Sequence, residues 1–155
     1  MHSSSHTELS YYWRFHTLRS PWRSRSFFGS AVLENRFLIV FGGVGGDQEY
    51  LNDVWITEDL WSWRPLTKGT SSKMWAPRCA FGVVTLPGAA SINAGKNDAG
   101  EPLYTSKTSK NGAGSLLLLG GRGDKGRLFR DVWMLKRAKH EHEKHDEWHW
   151  ERVTK

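Results

Sequence analysis

Residues 41–55 read FGGVGGDQEYLNDVW, with four glycines in five positions just after an apolar run. A glycine-rich loop of this kind either cradles a phosphate or turns the chain between two strands. Recurrence favours the second, because a structural unit repeats along a chain. The stretch does recur. Gly42-Gly43 lead to Trp55 within Asp53-Val54-Trp55, and Gly120-Gly121 lead to Trp133 within Asp131-Val132-Trp133. The spacing from the first glycine to the tryptophan is 13 in both, and the offset is 78, from Gly42 to Gly120 and from Trp55 to Trp133.

Two further landmarks repeat. Trp22, Arg25 and Gly29 match Trp75, Arg78 and Gly82 at an offset of 53, with Phe28 and Phe81 preceding the glycines. The difference between the offsets, 78 and 53, places a 25-residue insertion between Gly82 and Gly120. An aromatic-x-Trp-x-x-x-Thr pattern occurs as Tyr11/Trp13/Thr17, Trp61/Trp63/Thr67 and Trp148/Trp150/Thr154. Trp55 to Trp63 is 8 residues and Trp133 to Trp150 is 17, so the second copy carries 9 extra residues there. With both insertions removed, one period of 53 fits every landmark.

Each unit parses as four short strands. In the first, residues 26–33 form strand a, Glu34-Asn35 a tight turn, and residues 36–41 strand b, which Gly42-Gly43 end. Residues 51–57 form strand c and residues 61–67 strand d, where Pro65 suits an outer edge because it has no N–H to give a ladder. The second unit uses residues 79–86, 114–119, 127–135 and 148–154. Residues 11–18 read as a further strand d with no a, b or c before it. The chain thus divides into a tail at 1–10, an outer strand at 11–18, a first repeat at 19–67 and a second at 68–155. The second repeat holds an Ala, Gly, Ser, Asn and Lys-rich insertion at 87–112, expected to be disordered, and a charged, His-rich loop at 136–147.

The bulk composition agrees with short strands. The 155 residues include 9 Trp and 16 Gly, and aromatics punctuated by glycine turns favour sheet. The net charge of +6 describes a surface rich in Arg and Lys and specifies neither fold nor ligand. One cysteine, Cys79, rules out an intrachain disulfide and is expected to be a buried, inert thiol. The first 13 residues carry no apolar stretch of signal-peptide type, and the runs FLIVF and LLLL are too short to span a bilayer. A cytoplasmic or nuclear location is expected.

A strand ending in Gly-Gly, a variable loop, Leu-Asn-Asp-Val-Trp and a later Trp together resemble the kelch repeat, whose period is about 50 residues. The resemblance covers residues 11–154 apart from the insertion, and departs where Phe129-Arg130 replace Leu51-Asn52. It implies an all-β fold: a fragment of a kelch-type β-propeller, two four-stranded antiparallel blades plus an extra N-terminal outer strand. It makes Gly42, Gly43, Gly120 and Gly121 the ends of the b strands, and Trp55, Trp63, Trp133 and Trp150 the aromatics that pack blades together. Asp53 and Asp131 complete the repeated motif. A propeller has about four to eight blades, so two imply missing blades or self-association.

GRGDKG, residues 121–126, matches G-x-G-x-x-G by letter, but an alternating strand pattern follows it where a dinucleotide site needs a helix. The Arg122-Gly123-Asp124 tripeptide would need an extracellular setting. His140, His142, His145 and His149 sit among charges that read as a solvated loop, so no metal site or cofactor is assigned. Arg25 and Arg78 belong to the repeat and read as structural, for instance as partners of Asp53 and Asp131. No nucleophile–base set stands out, so no catalytic residue is named. The expected function is a protein–protein interaction module, a scaffold or adaptor within a longer protein. The candidate partner-binding loops hold Asp47, Gln48, Glu49 and Tyr50 in the first unit and Arg122, Asp124 and Lys125 in the second. The alternatives are part of a kelch-like enzyme of oxidase, lyase-promoting or sugar-epimerising type, and a nucleic-acid-binding surface. The expected partner is a protein rather than nucleic acid or membrane.

Overall fold

Among the described residues, alternating apolar and polar positions, broken by turns, build nine strands in two antiparallel sheets. The computed structural model describes residues 13, 20–66, 74–86, 114–138 and 147–153. The first sheet holds β1 (Arg25–Ser26), β2 (Gly29–Leu33), β3 (Phe37–Gly45), β4 (Tyr50–Thr57) and β5 (Arg64–Pro65). Both β1 and β2 pair with β3, and the order continues β3-β4-β5. The second holds β6 (Gly82–Leu86), β7 (Ser115–Arg122), β8 (Leu128–Ala138) and β9 (Glu147–Arg152), in sequence order. Neither sheet closes into a barrel, and among the described residues no helix is long and apolar enough to cross a membrane.

Several boundaries differ from the sequence reading, each for a local reason. Strand a of the first unit is split, because Phe27 takes a left-handed conformation (φ 51°) between β1 and β2. Ala80, its repeat counterpart, does the same (φ 50°). Gly42-Gly43 do not end strand b: β3 runs on to Gly45, and the register shifts between Phe41 and Gly43 in a β-bulge. β7 likewise runs to Arg122, with a shift between Leu119 and Gly121. The φ pairs are nearly the same, 61° and 98° at Gly42-Gly43 and 62° and 104° at Gly120-Gly121. A Cβ at Gly43 would sit 2.7 Å from the Ser26 carbonyl oxygen and 2.8 Å from Phe28 Cβ, so both sterics and backbone conformation require glycine. The outer strand of the first sheet is only Arg64–Pro65, on the edge that Pro65 predicted. β8 extends to Ala138, into the stretch read as the charged loop, and β9 starts at Glu147. The expected lone strand at 11–18, apart from Trp13, and the insertion at 87–112 lie outside the described residues.

The core lies between the two sheets. Period-2 alternation puts Phe37, Ile39 and Phe41 on one face of β3, with Ile56 and Val54 opposite Ile39 and Phe41 on β4. All five are buried, and they pack with buried Leu116, Leu118, Leu135, Trp75 and Trp150 of the second unit. Phe41 is the hub: its ring stacks on Phe81 at 5.3 Å and meets Trp75 at 6.2 Å and Trp150 at 5.9 Å. At the far end of the interface Arg137 pairs with Glu34 at 2.6 Å, and Glu34 also accepts the Gly114 N–H at 3.1 Å. These contacts fix the two sheets face to face and so fix where their hairpins point.

Candidate functional site

The repeated residues converge on the same arrangement twice. In the first unit both terminal guanidinium nitrogens of Arg25, Nη1 and Nη2, donate to the carboxylate of Asp53 at 2.7 Å, and Nη1 also donates to the Gly42 carbonyl at 2.9 Å. The Trp55 indole N–H donates to Asp53 at 2.8 Å. In the second unit Arg78 donates to Asp131 at 2.6 and 3.2 Å and to the Gly120 carbonyl at 2.9 Å, and the Trp133 indole donates to Asp131 at 2.8 Å. In each repeat four residues form one lock: arginine ties the first glycine of the strand b bulge to the aspartate of strand c, which the tryptophan two residues on also bonds, while Gly43, Gly121, Trp63 and Trp150 of the motif stand outside it. Asp53 and Asp131, named from the sequence only as examples of a structural partner, are thus the carboxylates that Arg25 and Arg78 hold.

Burial of the two aspartates opposes their ionisation, but the hydrogen bonds from arginine and indole, with the arginine charge, outweigh it. Both carboxyls titrate below the usual aspartate range. The locks differ in depth. Asp53 keeps 37% of its side chain exposed and Asp131 only 13%, while both arginine side chains are almost wholly buried, at 1% and 0%. Arg78 also lies over the Phe129 ring at 3.8 Å.

Each lock stands at the base of a hairpin tip. The tip between β3 and β4 closes through Gly45 N–H to the Glu49 carbonyl at 2.9 Å and Gln48 N–H to the Gly45 carbonyl at 3.0 Å. Asp47, Gln48 and Glu49 are exposed there. Asp47 accepts the Glu49 N–H, and Glu49 pairs with Arg23. Tyr50, read as a loop residue, is the first residue of β4 and half-buried. The tip between β7 and β8 is a 3-10 turn at Asp124–Gly126, in which Lys125 has positive φ (53°) and donates its N–H to Asp124 at 2.8 Å. Arg122, also read as a loop residue, ends β7 opposite Leu128 and exchanges backbone hydrogen bonds with buried Cys79. The arginine of the RGD tripeptide is thus part of a ladder, not of the apex. Because β8 follows the turn, the glycine-spaced segment lacks the helix that a dinucleotide site requires.

The two tips lie on the same end of the molecule. Arg78 bonds through its backbone to Gly43 and Leu51 at the base of the first hairpin, while Cys79 bonds to Arg122 at the base of the second. Beside the first tip opens a cleft of about 400 Å³, lined by residues that include Trp22, Arg23, Tyr50, Asp53, Trp55 and Pro77. Trp22 there packs edge-on against Trp63 at 4.2 Å, as Trp75 packs against Trp150 at 5.7 Å in the core. Sequence reasoning missed the cleft, since Trp22 and Pro77 come from the two d–a connections and meet only once the sheets stack. The turn read from the sequence at residues 58–60 is held by Asp59, whose carboxylate accepts the Thr57 hydroxyl and the N–H groups of Trp61 and Ser62, which pull its pKa far down. Of the four histidines weighed as metal ligands, His149 lies exposed in β9 opposite Lys136, and the other three lie outside the described residues. No family model and no curated protein matches the chain.

Proposed function

We propose that this chain is a protein–protein interaction module built from two kelch-type blades, a scaffold or adaptor whose hairpin tips meet the partner. The observation that carries this reading is the pairing of constant bases with different tips. Arg, Asp, Trp and Gly-Gly repeat in register, while the first tip presents Asp47, Gln48 and Glu49 and the second presents Asp124 and Lys125 on the same end. A rigid frame with variable loops is the usual design of a binding surface. The propeller membership rests on the kelch-like spacing of these residues and on the way one sheet stacks on the next. The exposed acidic side chains of the first tip repel phosphate, which favours a protein over nucleic acid.

The test replaces Asp47, Gln48 and Glu49 by alanine in one variant and Asp124 and Lys125 in another. Partners are then compared by quantitative affinity capture and cross-linking. The expected result is a defined set of proteins lost from one or both variants, at unchanged thermal stability. Identical capture by all three forms, or tight oligonucleotide binding with a steep salt dependence, overturns it.

A further inference from the structure

The contact between the two sheets has a knob, a socket and three backbone hydrogen bonds. The knob is Phe81, whose ring lies on Gly29 and Gly42: a Cβ at Gly29 would come within 2.5 Å of it, and one at Gly42 within 2.9 Å. The bonds run from Gly43 N–H to the Arg78 carbonyl (2.9 Å), from Arg78 N–H to the Leu51 carbonyl (3.1 Å) and from Ala80 N–H to the Phe27 carbonyl (3.0 Å).

The repeat places the counterpart of every one of these groups on an outer surface. The counterpart of Phe81 is Phe28, and it is 44% exposed. The counterparts of Gly29 and Gly42 are Gly82 and Gly120, and no aromatic ring stands close to either. A Cβ at Gly82 would meet only Leu119, at 3.4 Å or more, and one at Gly120 only the Phe129 backbone. The hydrogen-bonding groups follow the same rule. Cys79 and Arg122 exchange both backbone bonds, so their counterparts Ser26 and Val44 form the bonded pair of β1 and β3. Arg25, one position earlier, then falls on a non-bonded pair with Gly45, and its N–H and C=O point out of the sheet edge as those of Arg78 do.

We propose that a second copy of this chain docks here by repeating the internal interface, with Phe28 of one copy seated on Gly82 and Gly120 of the other. A second copy is the occupant because this chain carries both halves of the contact on opposite outer faces. The apolar row Val84, Leu117 and Met134 of the second sheet is the counterpart of the row of partly buried Ala31 and buried Ile39 and Ile56 of the first. It meets the face of the other copy that carries the half-buried Leu38 and Trp55, as the first row meets the second sheet within one chain. Such an interface is head-to-tail, so it builds a ring if the rotation closes and an open series if it does not. The inference rests on the repeat equivalence and not on what the hairpin tips bind.

Sedimentation velocity of the full chain over a wide concentration range tests it. Phe28→Ala removes the knob but keeps the Cβ that packs on Gly43. Gly82→Ala fills the socket while meeting Leu119 within its own chain only at ordinary contact distance. The expected result is concentration-dependent association of the wild type that each variant weakens at least about tenfold, and that alanines at Asp47 and Lys125 leave unchanged. A monomer at every concentration overturns the proposal, and so does association that neither Phe28→Ala nor Gly82→Ala weakens in variants retaining wild-type circular dichroism.

Discussion

Replacing Arg78 by methionine will destabilise the fold by about 3–5 kcal/mol, the usual cost of removing one member of a buried, hydrogen-bonded ion pair. Arg78 is fully buried, and its guanidinium satisfies Asp131, the Gly120 carbonyl and, through Nε, the Ala76 carbonyl at 3.0 Å. Methionine fills much of the same volume but leaves all three acceptors facing the interior, together with an unpaired carboxylate. Lysine will not rescue, because a single ammonium cannot reproduce the planar fork that reaches both carboxylate oxygens. The same change at Arg25 will cost somewhat less: its side chain is as buried as that of Arg78, but the carboxylate of Asp53 is 37% exposed, so water can solvate that partner. Urea denaturation checks this: the midpoint falls for both variants, further for Arg78→Met, with the slope unchanged. Equal losses at the two sites would show that the greater burial of Asp131 adds nothing to the second lock.

Phe41→Ala will cost about 3–5 kcal/mol and will weaken both sheets together. Phe41 has no exposed surface and touches three aromatic rings of the second unit, so its loss opens a cavity in the middle of the interface. Phe41→Leu will cost far less, about 1 to 1.5 kcal/mol, because leucine keeps most of the volume. Leucine also stands at the repeat-equivalent position, Leu119, next to the same kind of bulge. Thermal unfolding followed by both tryptophan fluorescence and far-ultraviolet circular dichroism will show a single coincident transition, lowered in Phe41→Ala. Two separate transitions in the wild type would mean that the sheets fold independently and that Phe41 does not join them.

Much of this architecture was legible in the sequence because it occurs twice. The structural role of Arg25 and Arg78 was readable, since a residue repeated with its neighbours is held there by the frame; their partners were not, and Asp53 and Asp131 stood only as examples. The glycine pairs were recognised but misplaced, as strand ends instead of bulges, because a positive φ looks the same in both settings. The split of strand a left no signal at all: phenylalanine and alanine occupy the left-handed positions, where composition predicts glycine or asparagine. The hairpin tips were found, but their limits were not, since Tyr50 and Arg122 carry no mark of belonging to a ladder. The cleft at Trp22 and the Arg137–Glu34 pair depend on contacts between distant segments, which only the stacking of the sheets brings together.

The central claim is that two copies of one unit stack face to face, with Phe81 of the second seated on the glycines of the first. Nuclear Overhauser contacts between the Phe81 ring and the α-protons of Gly29 and Gly42 test it most directly. Strong cross-peaks are expected to both glycines, with their α-protons shifted upfield by the ring. A well-dispersed spectrum of the folded chain in which both contacts are missing would contradict the stacking and, with it, the proposed docking of a second copy.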